Sequence, residues 1–478
     1  MNKYIQRLLT IVIFLINLNL NAQDGHYWTE PHGTKSILLS GVVIGSVEDL
    51  GTVYYNPARL AKIENPAFLL SGKLYQLDRI KIEDGAGDGL DLNQTRFGGY
   101  PNMAAGTFKL KFLKDHFFSY SFLTRNTLKA NYFIHNDDVG NIIDAWPGEE
   151  TYGGQFRFQK GLKDDWFGLT WAYNLNSTWS VGITNFVSVR HQNELLATEL
   201  QAYSAINELA FLHNTRSIDY TSFGLLWKIS LAFEVNNLSA GLTITTPKVN
   251  LFGKGSTYYQ DFYNGPDDAN NNGLDKIYVS NYQDKLPAKH HSPWAIGFGA
   301  GYKIGKSKFH FSGEWYQSVS KYELMSSDPF EGQSDQKMYE VKLIDQLDAV
   351  FNAGVGYEYN VNNKYAFFGS FATDFSAVHP AVKQYIVTKE TAYASMIQAN
   401  MYHVGGGILL DIKWLEITAG LSHAFANQDI DRPFQFPEEE GDFAKEPEGQ
   451  SKMKIGRWKF VLGFSVPFFK KNKILEYD

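Results

Sequence analysis

The chain has 478 residues, 44% hydrophobic and 15% aromatic, with 44 Lys and Arg against 51 Asp and Glu and no Cys. A net charge of −7 argues against a nucleic-acid partner, which needs a concentrated basic surface, and the lack of Cys excludes disulfides and thiolate metal sites. The length suggests about three ordinary domains, yet no Pro/Ser/Gly linker divides the chain and its composition stays even throughout.

Residues 1–22 have the layout of a secretory signal peptide. Lys3 and Arg7 make a positive start, Leu8 to Leu18 a short apolar run, and Ala22 a small residue at the cleavage point. The run is shorter than the ~20 residues of a spanning helix. The mature chain is expected to begin at Gln23, and loss of Lys3 and Arg7 leaves it at −9.

Next comes "VYYNPARLA" (53–61). Asn56 is a cap residue and Pro57 suits a first helical position, so a short helix is predicted after them, with Tyr54 and Tyr55 wedged against neighbouring side chains.

Period-2 alternation then dominates. Trp458, Phe460, Leu462, Phe464 and Val466 share one face, and Lys459, Val461, Gly463 and Ser465 the other. Phe167, Leu169, Trp171 and Tyr173 repeat the pattern, as do Phe223 to Phe233, Ile296 to Tyr302, and Phe309, Phe311, Trp315 and Val319. A soluble sandwich also alternates, with its apolar face inward. Here the large face is aliphatic and aromatic, with Trp and Tyr near strand ends, while the small face is Gly, Ser, Thr and scattered charge, which suits a membrane barrel. Glu314, Glu358, Glu416 and Lys459 fall on small faces and are expected to point inward.

The fold class predicted is an all-β transmembrane barrel of about 14 antiparallel strands. They lie near 67–83, 102–113, 117–134, 165–174, 178–200, 218–235, 238–252, 292–304, 307–324, 346–359, 364–378, 399–412, 414–427 and 453–468. Short turns at 112–115, 175–176, 304–307 and 360–363 contrast with long polar stretches at 253–291, 325–345, 379–398 and 428–452. That asymmetry is expected of an outer-membrane barrel, with both chain ends on the periplasmic side.

Few motifs carry chemistry. "AGYKIGKS" (300–307) fits a relaxed phosphate loop, but strand alternation follows where a helix is needed, so it reads as a hairpin turn. Asp268, Asn270 and Asn272 match the first half of a calcium loop, but Val279 stands where the bidentate Glu belongs. His290 and His291 are adjacent and would face opposite sides of a strand. No nucleophile or metalloprotease motif is present, and neither enzymatic activity nor a cofactor is expected.

In pattern and order the chain from about residue 33 onward resembles the long-chain fatty-acid transporter (FadL-type) family of outer-membrane barrels. "GSVEDLGTVYYNPARLA" (45–61) carries the most specific likeness, with Asp49 in its acidic turn and Asn56, Pro57 and Ala58 in its Asn-Pro-Ala element; Arg59 stands where a Gly is usual. "LPAKHHSPWAIGFGAGYKIGKSKFHFSGEWYQ" and "NAGVGYEYNVNNKYAFFGSFATDFS" resemble its late paired strands. The resemblance implies a hatch of short helices over 23–64, a barrel over 65–470 and a tail over 471–478. It also implies passive uptake of hydrophobic molecules such as fatty acids or aromatic hydrocarbons, with sideways release where the third strand is kinked. Thr124 and Asn126 interrupt the face begun by Phe118, Tyr120 and Phe122, and mark that gap. The expected partners are a hydrophobic ligand, the bilayer and lipopolysaccharide of a Gram-negative outer membrane, with the barrel monomeric. The same fold could also serve as a docking piece of a protein-secretion or surface-anchoring machine.

Overall fold

A computed structural model describes residues 25–63, 66–113, 115–265, 276–380, 382, 391–395, 397–412, 414–439, 443 and 446–467. The expected signal peptide, the calcium-loop residues Asp268, Asn270 and Asn272, and the tail lie outside these.

Fourteen antiparallel strands close into one barrel. They are β1 (Pro66–Glu83), β2 (Leu92–Phe108), β3 (His116–Gly140), β4 (Glu150–Asn174), β5 (Trp179–Tyr203), β6 (Leu209–Val235), β7 (Leu238–Thr245), β8 (Ala295–Ile304), β9 (Ser307–Tyr316), β10 (Val350–Asn360), β11 (Tyr365–Asp374), β12 (Met401–Ile412), β13 (Leu415–Asp431) and β14 (Gln450–Pro467). Each pairs with its neighbours in sequence, and β1 closes the ring on β14, with Leu77 opposite Trp458. Closure pairs every strand on both sides, the condition for strands in hydrocarbon, where water cannot satisfy backbone groups, although β2 and β3 share a ladder over only part of their length.

Alternation sorts the side chains as expected. Phe167, Leu169, Ile296, Phe298, Phe309, Phe311, Trp458 and Phe460 stand exposed on the outside. Gly168, Thr170, Ser312, Lys459 and Val461 are covered on the inside. An exposed aromatic and aliphatic belt around a closed barrel is a lipid-facing surface. Short turns at 175–178, 236–237, 305–306 and 361–364 gather at one rim, and the long connections 317–349, 375–400 and 432–449 at the other. The stretch compared above with a phosphate loop is the β8–β9 turn, where Ile304 pairs with Ser307.

The structure corrects several sequence boundaries. β2 spans 92–108, ten residues earlier at its start than expected, and β4 begins at Glu150 rather than near 165. The stretch 253–291 is no simple loop. Val249–Asn264 pairs with the far half of β6, and Lys276–Pro287 pairs with Val249–Asn264. Within the next long connection, Lys342–Leu347 pairs with Val319–Ser326, and Thr391–Tyr393 adds to it in parallel. Val319, expected to face lipid, is buried because the chain leaves the wall after Tyr316. These segments stand beyond the lipid belt, where an outward side chain meets water and the lipid pattern disappears. Strands of 25 residues such as β3 to β5 extend roughly 80 Å along their axes, far more than a tilted strand needs to cross a bilayer.

Residues 25–63 lie within the barrel, and nearly all of those up to Ala61 are buried. They hold two single-turn helices, α1 (Lys35–Leu38) and α2 (Thr52–Tyr55), followed by a 3₁₀ turn, Pro57–Ala61. At the long-loop end the lumen is filled by an apolar cluster that joins wall residues Tyr132, Phe156, Phe158 and Leu196 to loop residues Ile142, Trp146, Phe434 and Phe436.

Candidate functional site: a lumenal chamber between the N-terminal element and the wall

The N-terminal element is built around Asp49. Its carboxylate accepts hydrogen bonds from the Thr34, Ser36 and Gly51 backbone N–H groups at 2.7, 2.9 and 2.9 Å and from the Ser36 hydroxyl at 2.9 Å. One carboxylate thus ties three turns that have no sheet to satisfy them. Asn56 caps the 3₁₀ turn. Its Oδ1 accepts from Ala58 N at 3.2 Å, and its Nδ2 donates to the Ile44 and Leu231 carbonyls at 2.8 and 3.3 Å. Pro57 occupies the first helical position. The cap therefore also fastens the element to β6. Arg59, the departure from the resembled motif, donates to the Val47 carbonyl at 2.9 Å and pairs with Glu234 of β6 at 3.1 Å.

The wall's small face accommodates this element. A Cβ at Gly182 of β5 would fall 2.5 Å from Ala58 N, and one at Gly299 of β8 would fall 2.7 Å from Gly45 N. Charged anchors complete the fit. Glu30 is fully buried against Lys73 of β1 and Lys459 of β14, with the second contact at 3.4 Å. Burial alone would raise the Glu30 carboxyl, but Lys459 and Lys73 hold it down at about 2. Asp374 of β11 accepts from the Tyr27 and Trp28 N–H groups at 3.0 and 2.9 Å and from the Thr29 hydroxyl at 2.5 Å.

Above this element lies a small chamber, a cavity of about 50 Å³. Its rings are Tyr27, Tyr54, Trp166 and Tyr316, and its charged groups are Arg125, Asp164, Lys228 and Glu314. Tyr27 stacks on Tyr316 with centroids 3.8 Å apart. Tyr54 lies beneath both cations, 4.8 Å from Lys228 Nζ and 5.7 Å from Arg125 Cζ. Glu314 accepts from Trp28 Nε1 at 3.0 Å and from the Tyr316 hydroxyl at 2.5 Å, and pairs with Lys228 at 3.5 Å. Tyr27, Tyr54, Lys228 and Glu314 also border a second void inside the N-terminal element, so they form the partition between the chamber and that element. Tyr54 thus meets wall side chains as expected. The Tyr55 hydroxyl accepts from His32 N at 2.8 Å within the element itself, and its ring belongs to a buried cluster that includes wall residues.

One seam of the wall is incomplete. β2 and β3 pair only from Met103 opposite Leu123 to Phe108 opposite Phe118. Beyond Leu123 the β3–β4 ladder continues with a bulge, in which Thr124 pairs with Asp165 and Asn126 with Asp164. Arg125 is the extra residue. It flips the inward parity from odd (119, 121, 123) to even (126, 128, 130, 132). On β2 the same level carries "GGYP" (98–101), where Pro101 has no N–H for a further ladder. The Gln94 side chain spans the seam, with Nε2 donating to the Lys129 carbonyl at 3.0 Å and Oε1 accepting from Asn131 N. Thr124 donates to Asp165 at 2.8 Å, and Asn126 lines a small void with His26, Leu128 and Arg457 behind the seam.

The sequence reading placed Asp49, Asn56, Pro57 and Ala58 in one element and Thr124 and Asn126 at a wall discontinuity. The chamber's Arg125, Lys228 and Glu314 escaped it. A signal for Arg125 existed: exposed aromatics fall on even numbers up to Tyr120 and on an odd number at Phe133, which requires one extra residue between them. Glu314 and Lys228 are 86 residues apart, and only the barrel brings them together. Among the described residues no three His, Cys, Asp or Glu side chains cluster as a metal site needs. His290 is buried and His291 partly so, in a loop and not in a strand.

No protein-family model matches the sequence, and no curated protein matches it. The fold is similar to that of FadL-type barrels. A FadL homologue of Pseudomonas aeruginosa aligns over 93% of this chain and 100% of its own, with a TM-score of 0.55 and 13% identity. The Ralstonia pickettii toluene transporter TbuX aligns over 92% and 99%, with a TM-score of 0.55 and 12% identity. The P. putida toluene transporter TodX aligns over 92% and 99%, with a TM-score of 0.55 and 11% identity.

Proposed function

We propose that this protein is an outer-membrane channel of Gram-negative bacteria for the passive uptake of hydrophobic small molecules. The observation that carries the reading is the chamber. It is ringed by aromatic side chains and floored by the N-terminal element. It also shares Arg125 with the incomplete β2–β3 seam. A molecule that enters past the apolar cluster at the long-loop rim exchanges water for this lining, and each buried CH₂ favours that exchange by ~0.8 kcal/mol. The similar solved structures named for transport carry toluene, which supports the ligand class without fixing the ligand.

Residues 25–63 act as the hatch, and release is lateral through the seam at Thr124–Asn126. Beyond Leu123 β2 and β3 share no ladder, and the flexible Gln94 side chain bridges them farther along, at Lys129 and Asn131. Such a bridge can open without breaking a run of backbone hydrogen bonds. The test is a tether. The chain has no Cys, so Gln94→Cys with Ala130→Cys gives two unique thiols at the seam, which a short bis-maleimide can join. Tethering should stop uptake of a radiolabelled aromatic hydrocarbon into cells, while either single variant treated alike keeps it. Uptake undiminished by complete tethering would remove the lateral route.

A further inference from the structure

We infer that the chamber selects compact aromatic anions, an aromatic ring carrying a carboxylate, and that Arg125 is the residue that reads the charge. This rests on the uptake reading and narrows its substrate class.

The inference starts from Arg125, which is 8% exposed and lines the chamber. Three other buried arginines meet carboxylates: Arg457 meets Asp78 at 2.6 Å, Arg216 meets Glu194 at 3.2 Å and Arg59 meets Glu234 at 3.1 Å; a fourth, Arg190, donates to Tyr220 and Gln192. Arg125 has none within ion-pair distance among the described residues, and its guanidinium makes no hydrogen bond there. Its close neighbours are the faces of Tyr54 and Trp166, each 5.7 Å away. Ring faces balance part of a positive charge but accept none of its N–H groups in the plane of the fork. A buried guanidinium with open donors is costly unless a partner arrives. The nearby carboxylates are engaged elsewhere: Asp164 accepts from Trp166 Nε1 at 3.0 Å and Ser188 Oγ at 2.8 Å, and Glu314 is held by Lys228, Trp28 and Tyr316. A ligand carboxylate supplies the missing acceptor in the bidentate geometry that Arg favours.

The remaining walls set the shape. Tyr27, Tyr54, Trp166 and Tyr316 offer flat faces, and the Lys228–Glu314 pair closes the floor. A one- or two-ring acid would stack there and leave that pair intact once the side chains lining this small cavity move apart to admit it. A long acyl chain would have to cross it.

The experiment uses the full chain in detergent micelles, with binding of 2-naphthoate, its neutral amide 2-naphthamide, and palmitate followed by calorimetry. The wild type should bind 2-naphthoate at least tenfold more tightly than 2-naphthamide. Arg125→Gln should abolish that difference while leaving 2-naphthamide unchanged, and Arg125→Lys should retain part of it. Equal binding of acid and amide by the wild type, or a preference that survives Arg125→Gln, overturns the role of Arg125. Palmitate binding as tightly as 2-naphthoate, with the same sensitivity to Arg125→Gln, overturns the aromatic selection. If the Gln variant does not fold, the acid-to-amide ratio of the wild type decides. The uptake reading fails separately, by all three compounds failing to bind.

Discussion

The ring of Tyr54, on the hatch, lies beneath the guanidinium of Arg125, on the bulge of β3, 5.7 Å from its Cζ. This contact joins the part of the protein that would move to the part of the wall that is incomplete. Cation–π contacts in desolvated sites are worth about 2 kcal/mol, enough to bias a hatch and too little to hold a barrel together. Tyr54→Ala should therefore leave the barrel folded and raise its leak to small hydrophilic solutes several-fold. Single-channel conductance in planar bilayers reads this directly. An unchanged conductance would mean that the hatch is held by its other contacts alone.

The cap at Asn56 gives a second expectation. Asn56→Ala removes one of the two acceptors of Ala58 N, leaving Ser230 Oγ at 2.8 Å, and removes the donor to the Ile44 and Leu231 carbonyls. The cost is about 1–2 kcal/mol at the hatch, with the wall untouched. Pro57→Ala should do less, since it only restores conformational freedom to the unfolded turn. Limited proteolysis of the folded barrel should cut the N-terminal segment of Asn56→Ala faster than that of Pro57→Ala, and both faster than wild type.

Steric expulsion offers a cleaner version. Gly182→Val places a Cβ 2.5 Å from the Ala58 backbone, closer than two such atoms can approach. The hatch must shift, whereas β5 tolerates Val by propensity. The expected result is a heat-modifiable, folded barrel that admits bulky antibiotics. A barrel that fails to assemble would show instead that the hatch is needed for closure during folding.

The Glu30 anchor predicts a pH dependence. Its carboxyl is lowered from 4.5 to about 2 in the folded protein. A depressed folded value means that the contact stabilises above the unfolded value. That stabilisation is lost as pH falls from about 4.5 toward 2, because protonation leaves Lys73 and Lys459 facing a neutral acid. Protease protection of the hatch should be full at pH 7 and fall below pH 4. Glu30→Gln should show the low-pH behaviour at every pH. A hatch equally protected at pH 7 and pH 3 would remove Glu30 as its anchor.

How much of this was legible depended on where each residue meets lipid. Between the short turns and the bulge, hydrocarbon forces large apolar side chains outward and small ones inward, so Trp458, Phe460, Phe309 and Phe311 announce their strands. Above the bulge the outer face meets water. There Lys163 and Asp165 of β4 pair across a polar surface, as do Glu199 of β5 and His213 of β6, and the start of β4 at Glu150 carries no lipid pattern. For the same reason 253–264 and 276–287 read as part of a loop and proved to be paired strands. The cap at Asn56 and Pro57 was legible because its chemistry is local, two adjacent residues and one turn.

By itself the sequence determined the alternation that makes a lipid-facing wall, the short-turn rim and the capped element that precedes the wall, since each follows from neighbours within a few residues. Tertiary structure alone decided the chamber. Lys228 and Glu314, 86 residues apart, meet only once the barrel has closed. Arg125 faces inward only because β3 gains one residue against β4 where β2 has stopped pairing. Local chemistry sets which way a side chain points within a regular strand. The place where that regularity breaks, and what the break brings together, is set by ring closure.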